Sequence, residues 1–293
     1  MNKIFLFLLL LFPLLAKATD FDIVKPGQQP ATIVVDTTDW TGVRLAARDL
    51  SADIGRVCGK AAPVLVATAA HQPGQGCIIA GTMGKSKLID NIVKAHKIDV
   101  RKLRGQWESY LIDVVDGNLV VIGSDKRGTI YGIYEISREM GVSPWYWWAD
   151  VAVKHQDHII YSSGRQYQPS PRVKYRGIFL NDEAPCLTTW VKNTYGTNYG
   201  DHRFYDRVFE LLLRLKANFM WPAMWSWAFY ADDPLNSKTA DDRGITIGTS
   251  HHEPMCRSQK EWHGHTDNPN VEPQDRTSRE AAGGKWNNAP NQK

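Results

Sequence analysis

Short apolar segments typical of strands alternate with amphipathic segments typical of helices along most of this chain, and this alternation determines its fold class. Residues 31–35 are a run rich in β-branched side chains, and residues 43–54 then carry apolar side chains at helical spacing. Two further buried-type strands at 63–66 and 77–80 and a helix at 87–96 repeat the pattern. Strands that alternate with helices predict an α/β fold.

A hairpin and a helix complete this first unit. Two apolar runs within residues 109–123 flank Asp-Gly-Asn at 116–118, which is a hairpin turn signal. A helix over 127–140 follows, and Gly141 ends it as a C-terminal cap glycine does. We therefore expect a small α/β sandwich domain over residues 19–168.

The first residues have the pattern of a cleaved secretory signal. Lys3 precedes an apolar run at 4–15, and Ala16-Lys17-Ala18 has the A-x-A form of a cleavage site. A bilayer span needs about 20 apolar residues, so this run is too short to remain as an anchor. We expect a signal peptide over residues 1–18, cleavage after Ala18, and a secreted or periplasmic protein with no membrane partner.

Export to an oxidising compartment makes disulfides possible. The four cysteines fit no C-x-x-C zinc or redox spacing. Cys58 and Cys77 flank one predicted strand, and the sequence leaves open whether they pair. Cys186 and Cys256 are expected to be free and buried.

Charge and aromatic content limit the partners. A net charge of +4 from 35 basic and 31 acidic residues is too balanced for a nucleic-acid-binding protein, so we expect no nucleic-acid partner. The 11 Trp, 11 Tyr and 9 Phe fit either rich cores or surfaces that stack flat apolar ligands such as sugar rings.

A second α/β pattern follows a stretch at 161–172 that is rich in Ser, Gly, Gln and Pro. Each of its strands ends in polar or aromatic residues, which is typical of the first βα units of a (β/α)8 TIM barrel. We expect these units over residues 172–263. The predicted elements are strands at 174–180, 217–221 and 245–248 and a helix at 204–215.

The barrel is expected to be incomplete. A TIM barrel takes roughly 250 residues, and the apolar periodicity stops at about residue 263. Residues 264–293 carry few apolar side chains and predict a disordered or out-of-frame tail. The sequence therefore predicts a truncated fragment, inactive by itself.

The first strand end carries Asn181, Asp182 and Glu183. Carboxylates in this position are candidates for acid/base catalysis or for binding sugar hydroxyls. Because side chains alternate along a strand, Asp182 and Glu183 should point in different directions and should not form one catalytic pair. A loop with helix-capping acids is the alternative.

The second strand end lies in the aromatic run at 218–227. We expect Trp221 and Trp225 to face a ligand, because an indole face accepts the C–H face of a pyranose. The Asn218 amide both donates and accepts hydrogen bonds, which suits a sugar hydroxyl. Core packing is the alternative for some of these tryptophans.

The third strand end is followed by His251, His252 and Glu253. Their order is not H-E-x-x-H, and two adjacent histidines make a poor chelate, so we expect no metal and no cofactor. The histidines are suited to donating hydrogen bonds to a carboxylate or hydroxyl. Glu253 is a further catalytic candidate or a helix cap.

The three strand-end motifs resemble one family. Residues 174–183, 216–225 and 248–255 are similar to the opening barrel motifs of glycoside hydrolase family 115. Residues 123–132 resemble the small domain that precedes the barrel in that family and in some hexosaminidases. The resemblance covers about residues 32–263 and implies a secreted α-glucuronidase that removes glucuronic acid or its 4-O-methyl ether from xylan.

The resemblance also implies an inverting mechanism, in which one carboxylic acid protonates the leaving oxygen and one carboxylate activates water. The two groups would lie roughly 6.5–9.5 Å apart. Catalytic candidates are Asp182, Glu183 and Glu253. The expected substrate-binding residues are Asn181, Asn218, Trp221, Trp225, His251 and His252, with Arg176 and both histidines as candidates for the sugar carboxylate.

Two other functions remain possible from the sequence. A non-catalytic carbohydrate-binding protein would use the first domain and the tryptophans to hold a polysaccharide. A hexosaminidase-like glycosidase would share the first domain. In each case the expected partner is a polysaccharide, glucuronoxylan in the preferred interpretation.

Overall fold

The computed structural model describes residues 20–68, 70, 73–182, 184–224 and 227–248. The strands are β1 (Phe21–Val24), β2 (Ile33–Asp36), β3 (Val64–Ala67), β4 (Ile78–Thr82), β5 (Tyr110–Val115), β6 (Asn118–Gly123), β7 (Ile159–Tyr161), β8 (Gln166–Gln168), β9 (Gly177–Leu180), β10 (Phe219–Pro222) and β11 (Thr246–Ile247). The helices are α1 (Thr41–Cys58), α2 (Lys87–Ala95), α3 (Lys126–Glu139), α4 (Cys186–Tyr195), α5 (His202–Arg214), α6 (Phe229–Asp232) and α7 (Leu235–Arg243).

The first domain is a six-stranded sheet in the order β3-β2-β4-β6-β5-β8. β3, β2, β4 and β6 are parallel, whereas β5 and β8 run antiparallel to their neighbours. The central strands β2, β4 and β6 are buried on both faces because helices cover both faces. Val35 and Val121 belong to the core shared with α1 and α3, and Val34 and Val120 pack with Leu88 of α2.

The predicted hairpin is confirmed. β5 pairs antiparallel with β6, and Val115 opposes Asn118 across the turn. Asp116 and Gly117 both have positive φ, 48° and 73°, as the central residues of a type I′ turn do.

One strand lies inside the segment expected to be a linker. β8 pairs antiparallel with the edge of β5, with Tyr167 opposite Leu111. β8 has the sequence Gln-Tyr-Gln, so it shows no buried-strand pattern; an edge strand needs none.

The second part contains three parallel strands in the order β11-β10-β9. Helices α4 and α5 connect β9 to β10, and α6 and α7 connect β10 to β11. The fold class expected from the sequence is therefore confirmed: a small α/β domain precedes the first βα units of a TIM-barrel sheet.

The two parts share one apolar core and a buried ion cluster. Arg214 of α5 donates to Asp53 of α1 at 2.8 Å and to Glu210 at 2.9 Å, and all three side chains are buried. Burial raises the pKa of the Glu210 carboxyl, but Arg214, the Tyr146 hydroxyl and Arg243 together outweigh burial, so the pKa is lowered. A second pair joins Arg243 of α7 to Asp49 of α1. Ion pairs thus connect α1 to two barrel helices.

The described cysteines are all free. The Cys58 thiol donates to the carbonyl of Lys60 at 3.3 Å, and burial raises the pKa of the Cys77 thiol. Cys186 is exposed at the start of α4, so the expectation that it is buried is wrong. Cys256 lies outside the described residues.

Two predicted segments also lie outside the described residues: the signal peptide at 1–18 and the polar tail at 264–293. Among the residues that are described, none of the helices has the length and apolar character needed to cross a bilayer.

The ion cluster leads to a stability prediction. Asp53→Ala leaves the buried guanidinium of Arg214 with one carboxylate fewer, and we expect the free energy of unfolding to fall by about 3–5 kcal/mol. Urea denaturation measures it. Lys238→Ala, which removes an exposed helix pair with Asp242, is the control and should cost less than about 0.5 kcal/mol. Equal losses of unfolding free energy in the two variants would contradict a stabilising role of the buried ion cluster.

Candidate functional site at the barrel strand ends

The carboxyl ends of β9, β10 and β11 meet at one edge because the three strands are parallel. In β/α barrels this edge carries the functional groups. Asn181 and Asp182 follow β9, Ala223 and Met224 follow β10, and Gly248 follows β11.

Strand alternation separates two faces at this edge. Met220 is fully buried in the helix-facing core and pairs with Ile178, whereas Trp221 pairs with Phe179. Alternation from Ile178 puts Asp182 on the helix side, and alternation from Phe179 puts Asn181 on the opposite side. Burial agrees, because Asp182 is 2% exposed and Asn181 is exposed. We call the side with Phe179, Asn181 and Trp221 the inner face.

Asp182 anchors backbone at the strand end. Its Oδ2 accepts a hydrogen bond from the backbone N–H of Trp227 at 2.8 Å, and its carbonyl accepts one from the Thr188 hydroxyl at 2.9 Å. These bonds hold the loop after β10 and the start of α4 to β9. The carboxylate of Asp182 is thus buried and bound to backbone, which indicates an anchoring role; its role as a catalytic candidate stays a prediction.

Trp227 belongs to the core beneath this edge. Its indole N–H donates to the carbonyl of Asn198 at 3.0 Å, and its ring packs edge-to-face on Phe204. Asp232 accepts from the N–H of Ala228 at 2.6 Å and closes the same loop. No sequence pattern indicates this role of Asp232, because the group it accepts from at Ala228 is backbone. The backbone at Trp227 and Ala228 is thus held by two buried carboxylates.

Trp221 lies on the inner face next to Phe179. The two ring centroids are 5.4 Å apart and the rings are almost perpendicular. The indole nitrogen of Trp221 is buried and has no hydrogen-bond partner among the described residues. Together the two rings form an aromatic layer on the inner face, at the level of Phe179, which is two residues before Asn181 in the chain. Sequence patterns did not identify Phe179 as a site residue. Only its position two residues before Asn181, and therefore on the same face of the strand, could have indicated it.

Asn218 and Arg176 lie at the opposite edge of the sheet. Asn218 precedes β10, and its amide accepts from the N–H of Arg176 at 2.9 Å and donates to Glu108 at 2.6 Å. The guanidinium of Arg176 donates to Glu108 and to the carbonyl of Lys216. This corrects two expectations: neither Asn218 nor Arg176 is near the carboxyl ends where substrate was expected.

Five expected site residues lie outside the described part of the chain. They are Glu183, Trp225, His251, His252 and Glu253, and their roles stay predictions. Within the described residues, no group of three or more His, Cys, Asp or Glu side chains could hold a metal ion.

Parallel strands joined by helices, with polar groups at their carboxyl ends, are the architecture of a β/α-barrel type of protein. The sequence profile of Glycosyl hydrolase family 115 matches residues 168–290, and so continues past residue 263, where the motif resemblance ends. One solved structure, a family GH115 4-O-methyl-alpha-glucuronidase with specificity for decorated arabinogalactans, is 38% identical with a TM-score of 0.72. The match covers 83% of this chain and 32% of that one. The chain belongs to glycoside hydrolase family 115 and spans about a third of that relative.

More distant structures also match. A mutant Streptomyces plicatus beta-hexosaminidase is 14% identical with a TM-score of 0.46, covering 78% of this chain and 42% of that one. A GH138 enzyme targeting pectin rhamnogalacturonan II is 13% identical with a TM-score of 0.41, covering 74% and 24%. Both are too distant to support an inference here. No curated protein sequence matches the chain.

The Asp182 anchor leads to the second prediction. Asp182→Ala leaves the buried N–H of Trp227 without an acceptor, and we expect a loss of about 1–3 kcal/mol in the free energy of unfolding. Asp182→Asn keeps an acceptor oxygen and should lose less. Urea denaturation followed by tryptophan fluorescence measures both variants. Thr189→Ala, on the exposed side of α4, is the control; an alanine variant at position 182 as stable as this control would contradict the anchoring role.

Proposed function

We propose that this chain supplies the first βα units of the catalytic domain of an α-glucuronidase. Such an enzyme removes glucuronic acid or its 4-O-methyl ether from polysaccharide side chains. The observation that carries the proposal is the 38% identity to a 4-O-methyl-alpha-glucuronidase over 83% of this chain. The polysaccharide partner would be a decorated xylan or arabinogalactan.

The inner face is suited to one side of a sugar. The rings of Phe179 and Trp221 offer apolar faces and edges against C–H groups, and the Asn181 amide offers both a donor and an acceptor to a hydroxyl. The strands and the residues directly after them, 177–181, 219–223 and 246–248, contain no Lys, Arg or His. The sugar carboxylate therefore needs a cation or N–H donor from elsewhere, and His251 and His252 are our candidates.

We propose that the general acid and the general base of the reaction lie outside the described residues. With Asp182 occupied by the backbone of Trp227, Glu183 and Glu253 remain the catalytic candidates of this chain. An inverting reaction needs one protonated and one ionised carboxyl on opposite faces of the sugar, roughly 6.5–9.5 Å apart. Either Glu183 or Glu253 would act with a carboxylate from a further barrel strand.

Further barrel strands are needed to complete the inner face. Tyr175 and Phe179 are 55% and 45% exposed, and β9 pairs with only one of the described strands. Apolar rings on a barrel interior are normally covered by the other strands of the barrel. We therefore propose that the 293-residue chain alone releases no glucuronic acid.

A hybrid enzyme tests the proposed activity. Residues 20–248 would replace the corresponding segment of the related 4-O-methyl-alpha-glucuronidase, and release of 4-O-methylglucuronic acid from its polysaccharide would be measured by chromatography. We expect an active hybrid in which Asn181→Ala lowers kcat/KM roughly tenfold, because a hydrogen bond to the substrate is lost.

Trp145→Ala is the matched control, since Trp145 is exposed on the first domain. It should leave kcat/KM unchanged. A folded hybrid without glucuronidase activity, or glucuronic acid release by the 293-residue chain alone, would contradict the proposal.

We also propose that the protein is exported and loses residues 1–18. Expression of the whole chain with its own first residues should give a protein outside the cytoplasm that begins at Thr19, because the A-x-A site ends at Ala18. N-terminal sequencing of the extracellular or periplasmic fraction measures this. A cytoplasmic protein that keeps residues 1–18 would contradict export.

A further inference from the structure

A second cleft lies on the first domain, far along the chain from the barrel strand ends. It lies beyond the carboxyl ends of β2, β4 and β6, which its lining residues follow, and has a volume of about 440 Å³. Its lining residues include Trp40, Lys85, Asp125, Lys126 and Arg127. We call it the Trp40 cleft.

The topology of the sheet favours a ligand in this place. β2 connects through α1 to β3 on one side, and its neighbour β4 connects through α2 to strands on the other side. The two helices cover opposite faces of the sheet. Open α/β sheets bind ligands beyond the carboxyl ends of adjacent strands whose connections leave in opposite directions.

Neither helix capping nor core packing explains the presence of a tryptophan at position 40. It occupies the N-cap position of α1, where Ser, Thr, Asp or Asn is preferred, and its side chain makes no capping bond. Its side chain is 41% exposed. Its backbone is nevertheless held in place, because Asp39 accepts hydrogen bonds from the N–H groups of Trp40 and Thr82, each at 2.7 Å. The cleft therefore presents an indole on a fixed backbone.

Two lysines lie over this indole. The Nζ atoms of Lys85 and Lys126 are 4.5 and 5.1 Å from the ring centroid. Lys126 also donates to the carbonyl of Asp241 at 2.8 Å, whereas Lys85 has no ion-pair partner among the described residues. Asp125 makes no ion pair with either lysine among the described residues; its two carboxylate oxygens accept from the N–H groups of Glu108 and Gly128.

We propose that the Trp40 cleft binds a carboxylate-bearing sugar unit of a polysaccharide, as a site separate from the barrel strand ends. The exposed part of the indole supplies an apolar contact for C–H groups of the ring, and the ammonium of Lys85, which lies over the indole, pairs with the carboxylate. Asp241 and Gly244 of the barrel part accept from Lys126 and Arg127 through their carbonyls, so the barrel part holds two lining residues of this cleft in place.

The test uses the 293-residue chain and calorimetric titration with three probes: glucuronic acid, methyl xyloside and inorganic phosphate. We expect glucuronic acid to bind saturably and more tightly than the other two. Trp40→Ala should weaken glucuronic acid binding roughly tenfold or more through loss of the platform. Lys85→Gln should weaken glucuronic acid binding and leave methyl xyloside binding unchanged.

Trp145→Ala is again the control, because it removes another exposed tryptophan of the first domain. Thermal unfolding of each variant checks that it remains folded, which the exposure of Trp40 and Lys85 favours. The proposal is overturned if wild type shows no saturable binding, or if Trp40→Ala binds as wild type does. Phosphate binding as tight as glucuronic acid binding would also overturn it, since the cleft would then recognise any anion. None of these results depends on glucuronidase activity.

Discussion

One buried carboxylate, that of Glu108, connects the first domain to the amino ends of the barrel strands. Arg127 of α3, Arg176 before β9 and Asn218 before β10 all donate to it, at 2.5 to 2.6 Å. Glu108 is 1% exposed, and its φ of 53° is unusual for a residue with a side chain. A buried charge with several donors is strongly destabilised when one of them is removed. The position of the parallel strands therefore depends on this contact.

Anchoring at the amino ends has a consequence at the other edge. Each barrel strand is short and hydrogen-bonded to its neighbour. Because the strands are held at residues 176 and 218, the positions of the residues at their carboxyl ends are also restricted. Asp182 adds an anchor there by binding the N–H of Trp227. Asn181 and Trp221 thus project from backbone that is held at both ends, which is what a preorganised sugar site requires.

Periodicity in the sequence was enough for the elements with one clear face, such as α1 and the β5–β6 hairpin. It missed β8, whose polar residues belong to a sheet edge, and it missed α4. Asn218 was assigned to the wrong edge although the predicted strand at 217–221 already put it near the amino end; β10 begins at Phe219, directly after it. Glu108 is 110 residues from Asn218, and no local pattern indicates a contact at that separation. Alternation alone accounts for the opposite directions of Asn181 and Asp182, whereas the directions expected for Asp182 and Glu183 stay a prediction because Glu183 lies outside the described residues.

Hydrogen exchange of wild type and Glu108→Ala tests most directly whether the first domain holds the barrel strands. In wild type, the amides of β9 and β10 should open with free energies close to those of β6 and α3, because all four belong to one cooperative unit. In Glu108→Ala, protection of β9 and β10 should fall well below that of β6. Barrel amides that exchange much faster than β6 in wild type, or that keep full protection in the variant, would contradict the account.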